Sequence, residues 1–165
     1  ANDAIRQEAA RNAEYQHMGT TLVCAVARSD MAIIGNIGDS RAYHITPEGI
    51  FQISRDHSVV ENMVAKGDLT PLEARTHPNR NLITRALGPD IHAKADTFEL
   101  PWHKDEFLLL CSDGLVNTVS DQEMLFEVLH DGDVNECLDH LLQISLQRGA
   151  PDNITAVLLL NEEGR

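Results

Sequence analysis

The chain has 165 residues, 42% hydrophobic, 24% charged and only 4% aromatic. That is long enough for one buried core, too short for two comfortable domains, and ordinary for a globular protein built on aliphatic side chains. With 13 basic against 26 acidic residues, the formal charge of -13 argues against nucleic acid and anionic membrane as partners, and against anionic substrates unless a bound cation reverses the local field.

Residues 3–16 read as a helix with a weak apolar stripe (Ala4, Ile5, Ala9, Ala13), broken at Met18-Gly19. Thr20 to Ala27 has strand composition, Ser29-Asp30 makes a turn, and Met31 to Ile37 is a second apolar strand. Beyond Gly38-Asp39-Ser40-Arg41 the strand continues as Ala42 to Ile45. Thr46-Pro47-Glu48-Gly49 turns the chain into another strand, Ile50 to Ser54. Consecutive strands on short turns predict an antiparallel meander.

The period then changes. Ser58 to Lys66 has helical spacing and stops at Gly67, and Thr70-Pro71-Leu72-Glu73 opens a second short helix through a capping box. His77 to Asn81 is irregular; Leu82 to Leu87 is apolar on one side and ends at Gly88-Pro89. Asp96 to Leu100 and Phe107 to Cys111 read as strands, the second so uniformly apolar that both its faces should be buried. Ser120 with Glu123 caps a helix to about His130, and Asp131-Gly132 marks a helix-to-helix turn. Asp133 opens a longer apolar helix, with Gly149 at its end. Ile154 to Leu160 has the composition of a central strand, and Asn161 to Arg165 forms a solvated tail. Strands early, helices between and an apolar strand last define an α+β fold in which helices cover antiparallel sheets.

Cys24, Cys111 and Cys137 are odd in number, lie in apolar surroundings and form no CxxC pair, so all three read as buried thiols of a reducing compartment. With no apolar run of membrane-spanning length and no signal peptide at the amino end, a soluble cytoplasmic protein is expected. The eight histidines make no HExxH or HxH arrangement, which argues against zinc; GxxxxGK and GxSxG motifs are absent. Ser40 and Ser112 stand beside aspartates with no nearby histidine, giving a serine nucleophile little support.

Three aspartates share one setting. Asp39 follows the Met31 strand, Asp113 follows the Phe107 strand, and Asp152 precedes the last strand. Neighbouring antiparallel strands place the exit of one beside the start of the next, so Asp113 and Asp152 can meet at one sheet rim. Carboxylates pushed together repel and are stabilised by a cation, and an all-oxygen donor set favours Mg²⁺ or Mn²⁺. The competing reading is that each aspartate only opens a turn or caps a helix.

Six segments in register resemble the metal-dependent protein phosphatases of the 2C (PPM) family in their bacterial form. They are Met18-Gly-Thr-Thr21, Gly35-Asn-Ile-Gly-Asp-Ser-Arg-Ala-Tyr43, Asp56-His-Ser58, Leu82-Ile-Thr-Arg-Ala-Leu-Gly88, Cys111-Ser-Asp-Gly-Leu115 and Pro151-Asp-Asn-Ile-Thr155. The resemblance implies a four-layer α-β-β-α sandwich of two antiparallel sheets, incomplete here. It also implies hydrolysis of phosphoserine and phosphothreonine in proteins by a water that two Mn²⁺ or Mg²⁺ ions activate. Asp113 and Asp152 are the implied ligands of the catalytic metals, and Asp39 that of a third, weaker one. Residues 58–81 are the implied mobile flap. The implied partners are phosphoproteins, substrates of a cognate serine/threonine kinase.

The family's upstream Asp-Gly-x-Gly-Gly-His motif has no counterpart in 1–165, so the chain is expected to be a single domain forming the C-terminal two-thirds or so of a phosphatase domain. Such a fragment is expected to be inactive alone and to self-associate through open sheet edges. The alternative is a non-catalytic regulatory or binding domain that keeps the phosphatase fold. Arg41 is expected to anchor a carboxylate and His57 to serve its turn structurally. Asn117 stands where many members carry a further acidic ligand, and its amide is expected to weaken a third site.

Overall fold

The computed structural model describes residues 1–130 and 133–163; the expected Asp131-Gly132 turn and the tail residues Gly164 and Arg165 lie outside the described residues. Helix α1 spans Asn2–Arg11 and ends where Asn12 caps a short 3-10 turn, Ala13–Tyr15, so the expected helix to residue 16 is two pieces. Strands β1 (Leu22–Ala27), β2 (Met31–Ile37), β3 (Arg41–Thr46) and β4 (Gly49–Gln52) follow. Helices α2 (Val59–Lys66) and α3 (Pro71–Thr76) come next, then β5 (Asp96–Pro101) and β6 (Phe107–Cys111). The chain closes with α4 (Asp113–Val116), α5 (Asp121–His130), α6 (Val134–Gln147) and β7 (Ala156–Leu160).

The strands form two antiparallel sheets, in the orders β1-β2-β5 and β4-β3-β6-β7. This corrects the expected single meander: β2 and β3 lie in different sheets, and Gly38-Asp39-Ser40 is the corner between them. Strand pattern alone does not tell a hairpin from a sheet-switching corner, since both need a short polar break. A second correction concerns β7. Its uniformly apolar sequence suits a central strand, yet it lies at a sheet edge with Val157 half-exposed, while β3 and β6 are the strands of that sheet paired on both sides.

Period-two alternation divides the interior into two layers. Ala32 and Ile34 of β2, Leu100 of β5, Ala42 of β3 and Leu108 of β6 fill the space between the sheets. Tyr43 and Ile45 of β3, with Leu109 and Cys111 of β6, point the other way, under Leu115, Met124, Val128 and Leu141 of the helices. Leu108 and Leu109 are fully buried on opposite faces of β6, as its composition predicts, each contributing roughly 2 kcal/mol by transfer from water.

Helices α4 to α6 thus flank one sheet. The outer face of β1 and β2 carries exposed Leu22, Val26, Met31 and Ile33, together with Cys24. The expectation of three buried thiols therefore fails at Cys24, which points outward; Cys111 and Cys137 are buried. The tail expectation fails at Asn161, which is buried with its amide donating to the carbonyls of Ser29 and Trp102, and holds at the exposed Glu162 and Glu163. No helix among the described residues is long and apolar enough to cross a membrane.

Candidate metal centre

Register places the three aspartates. Arg41 pairs with Cys111 between β3 and β6, and Cys111 with Ala156 between β6 and β7. Asp39 precedes Arg41 by two residues, Asp113 follows Cys111 by two, and Asp152 precedes β7, so all three stand at one end of the same sheet. The convergence expected for Asp113 and Asp152 is therefore a property of the strand pairing.

Ser112 staples the two loops together. Its backbone N–H donates to the Thr155 carbonyl (2.9 Å), its hydroxyl donates to the Asn153 carbonyl (3.2 Å) and accepts from the Thr155 N–H (3.0 Å). Asp113 opens the one-turn helix α4, with Gly114 and Leu115 buried. Gly114 is required for contact: a β-carbon there would overlap the Asn153 carbonyl oxygen. Sequence alone marks Ser-Asp-Gly as a turn, because the neighbour that demands the glycine lies across the sheet rim.

Asp39 sits on the corner between the sheets. Gly38 has φ +111°, the left-handed region open to glycine, and a side chain there would meet Thr21, whose hydroxyl bonds Ser40 at 2.9 Å. Beside the corner, the Arg41 guanidinium grips Asp56: Nε reaches Oδ1 at 3.0 Å and Nη2 reaches Oδ2 at 2.7 Å. Another N–H donates to the buried Tyr43 hydroxyl at 3.1 Å. Arg41 thus anchors a carboxylate, as its sequence position suggests, in the planar two-point geometry that only arginine offers.

Electrostatics tie the aspartates together. Burial, and then the Asp113 charge, push the Asp39 carboxyl up to about 6. Burial, and then the Asp152 charge, raise Asp113, while Arg41 works in the opposite direction on both. A carboxyl whose proton affinity is raised by burial and a neighbouring carboxylate favours a cation for the same reason. The donor chemistry therefore fits a hard divalent ion in pairs, Asp39 with Asp113 and Asp113 with Asp152. Among the described residues, no three His, Cys, Asp or Glu side chains come close enough together to hold a metal ion.

Other candidate residues fall as follows. The Asn117 amide donates to Asp113 Oδ2 at 3.4 Å, so it faces the candidate ligand. Ser40 and Ser112 are held by Thr21 and by the β7 loop, in structural roles. His57 is buried against the Asp39 corner and bonds Asp96, a partner 39 positions further along that sequence order gave no means of finding.

Comparison with known proteins places the chain in a family. The serine/threonine phosphatase stp of Listeria monocytogenes serotype 4b (strain F2365) is 36% identical over 151 residues, 90% of this chain and 60% of that protein. The crystal structure of the serine/threonine phosphatase Stp1 from Staphylococcus aureus matches with TM-score 0.92 at 41% identity, covering 96% of this chain and 63% of that one. The catalytic domain of the serine/threonine protein phosphatase PstP, solved in complex with two manganese ions, matches with TM-score 0.85 at 32% identity, covering 95% and 65%. The chain thus spans about 60% of the length of the Listeria relative. A family model described as protein phosphatase 2C matches residues 1–158, and the chain belongs to that family.

Proposed function

We propose that the protein containing this chain hydrolyses phosphoserine and phosphothreonine in proteins, in the cytoplasm, with Mn²⁺ or Mg²⁺ as cofactor. The observation that carries this reading is the position of Asp39, Asp113 and Asp152 at one sheet rim, where burial and then a neighbouring carboxylate raise Asp39 and Asp113. Asp113 and Asp152 would hold the catalytic cations and Asp39, with Asp113, a weaker third. Bound divalent ions supply charge neutralisation, phosphate affinity and an acidified water. The chain's own contribution is rigidity: Ser112 and Gly114 lock the loops that carry Asp113 and Asp152, and Arg41 with Asp56 braces the rim from below. Residues 58–81, with α2 and α3, would form the flap that meets the substrate, a phosphoprotein made by a cognate serine/threonine kinase.

The test is phosphate release from a phosphothreonine peptide by the full-length protein. Mn²⁺-dependent release that stops with EDTA is expected, and release insensitive to metal refutes the reading.

A second reading is a non-catalytic binding domain of the same fold. It is favoured by one observation, that the described carboxylates approach in pairs and no three of them cluster. In this reading residues 1–165 alone bind Mn²⁺ weakly and turn nothing over, and pair with other strands through the free edges of β1 and β7. Calorimetry on residues 1–165 discriminates: tight binding of two ions excludes it.

A further inference from the structure

His57 is 5% exposed and occupied on every side. Its Nδ1 accepts the Gly38 N–H at 3.1 Å, and its own backbone N–H donates to the Gly38 carbonyl at 2.9 Å, so one residue grips both ends of the corner glycine. A backbone N–H can only donate, which leaves Nδ1 without a proton and puts the ring proton on Nε2. That proton goes to Asp96 Oδ2 at 3.0 Å, and Arg85, although 3.1 Å from Nε2, delivers its own proton to Asp96 Oδ1 at 2.9 Å. With no acceptor left over, the ring is unsuited to act as a general base.

The same residue closes the base of the long excursion that follows it. Thr84 N–H donates to the His57 carbonyl at 2.7 Å, Val59 N–H donates to the Leu82 carbonyl at 2.9 Å, and Ser58 bridges Ile83. The outgoing and returning stems are thus zipped together where His57 holds Gly38, the residue before Asp39. From the far side, the Asn36 amide donates to the carbonyls of Arg55 (3.1 Å) and Gly38 (3.4 Å).

We infer that His57 is a positioning residue that holds the Asp39-bearing corner and the base of the 58–83 excursion in one fixed relation. It acts through Gly38 and touches neither cation nor substrate. The inference rests on the reading above that Asp39 binds a divalent ion. Displacing an outer partner of a metal ligand costs typically 10–100-fold in metal affinity, because the ligand loses its fixed direction.

The test uses the full-length protein with two substitutions that divide the ring's duties. In His57→Asn the amide oxygen can still accept the Gly38 N–H; His57→Gln keeps an amide donor for Asp96 and has no acceptor at the Nδ1 position facing Gly38. Mn²⁺ is titrated while paramagnetic broadening of amide signals at 38–40 is followed, and hydrogen exchange is measured at Gly38 and across 58–83. His57→Gln should weaken Mn²⁺ at the corner about 10-fold or more. It should also deprotect the Gly38 amide and loosen the stems, with His57→Asn staying near the parent. Asp39→Asn is the control. If Asp39→Asn weakens Mn²⁺ binding but His57→Gln does not, the positioning role is overturned and the Asp39 site stands. If Asp39→Asn binds as the parent does, or no broadening reaches 38–40, the Asp39 site itself is wrong and the inference falls with it. A drop in melting temperature with unchanged Mn²⁺ affinity also overturns it, since that is all a purely structural histidine would give.

Discussion

Gly114 lies against the carbonyl of Asn153 with no room for a side-chain carbon between them. This contact joins the helix that begins at Asp113 to the loop that contains Asp152. Gly114→Ala must therefore push the two candidate ligands apart or strain both loops. We expect a loss of about 1–3 kcal/mol, typical of overpacking against backbone, read as a lower melting temperature, together with weaker Mn²⁺ binding by calorimetry.

Asp113→Asn and Asp152→Asn test the centre directly. Each keeps the side-chain size and removes one charge, so metal affinity should fall by at least about 10-fold while the far-ultraviolet circular dichroism stays unchanged. Metal-dependent phosphatase activity of the full-length protein should be lost with it. Full activity in either variant would remove that residue from the centre.

Stability without metal should depend on Asp39. Its folded carboxyl titrates near 6 against an ordinary value of 3.8, so between these values the folded state binds more protons than the unfolded. Stability therefore falls as pH rises from about 4 through 6, and the full cost is present above 6. In EDTA, Asp39→Asn should melt higher than the parent at pH 7, by an amount on the order of 1 kcal/mol after solvent screening. The two melting curves should converge near pH 4. A constant difference across pH would assign the effect to something other than this carboxyl.

The Arg41–Asp56 pair is mostly buried, with side-chain exposures of 28% and 12%. Arg41→Ala leaves Asp56 without its guanidinium partner, with the Gln52 amide still donating to Oδ1, and the Tyr43 hydroxyl without the Arg41 N–H, and about 2–3 kcal/mol of stability should go. Arg41→Lys should recover part of it only, because an ammonium cannot make the two-point contact. Chemical denaturation of the three proteins measures this.

Thiol labelling checks the corrected cysteine assignment. Cys24 points outward from the β1-β2-β5 sheet, whereas burial pushes the Cys111 thiol up to about 12. A maleimide should modify Cys24 in the native chain and reach Cys111 and Cys137 only after denaturation. Labelling of Cys111 at a rate matching Cys24 would contradict the packing under α4 and α5.

The local elements were legible in the order of residues, because each is dictated by periodicity and caps acting over a few residues. The apolar run Phe107 to Cys111 is a strand buried on both faces, Thr70 with Glu73 caps α3, and Met31 to Ile37 is a strand from end to end. The order of its motifs also identified the family. What only the tertiary structure decided are relations between distant residues. Gly38 turns the chain from one sheet to the other, a distinction invisible to a pattern that sees only a polar break. β7 lies at an edge because strand order follows from pairing, and apolar composition does not encode it. Asp39, Asp113 and Asp152 stand at one sheet rim because two strand registers align their loops. Gly114 and His57 acquire their roles from Asn153 and Gly38, residues their own neighbours in sequence could not reveal.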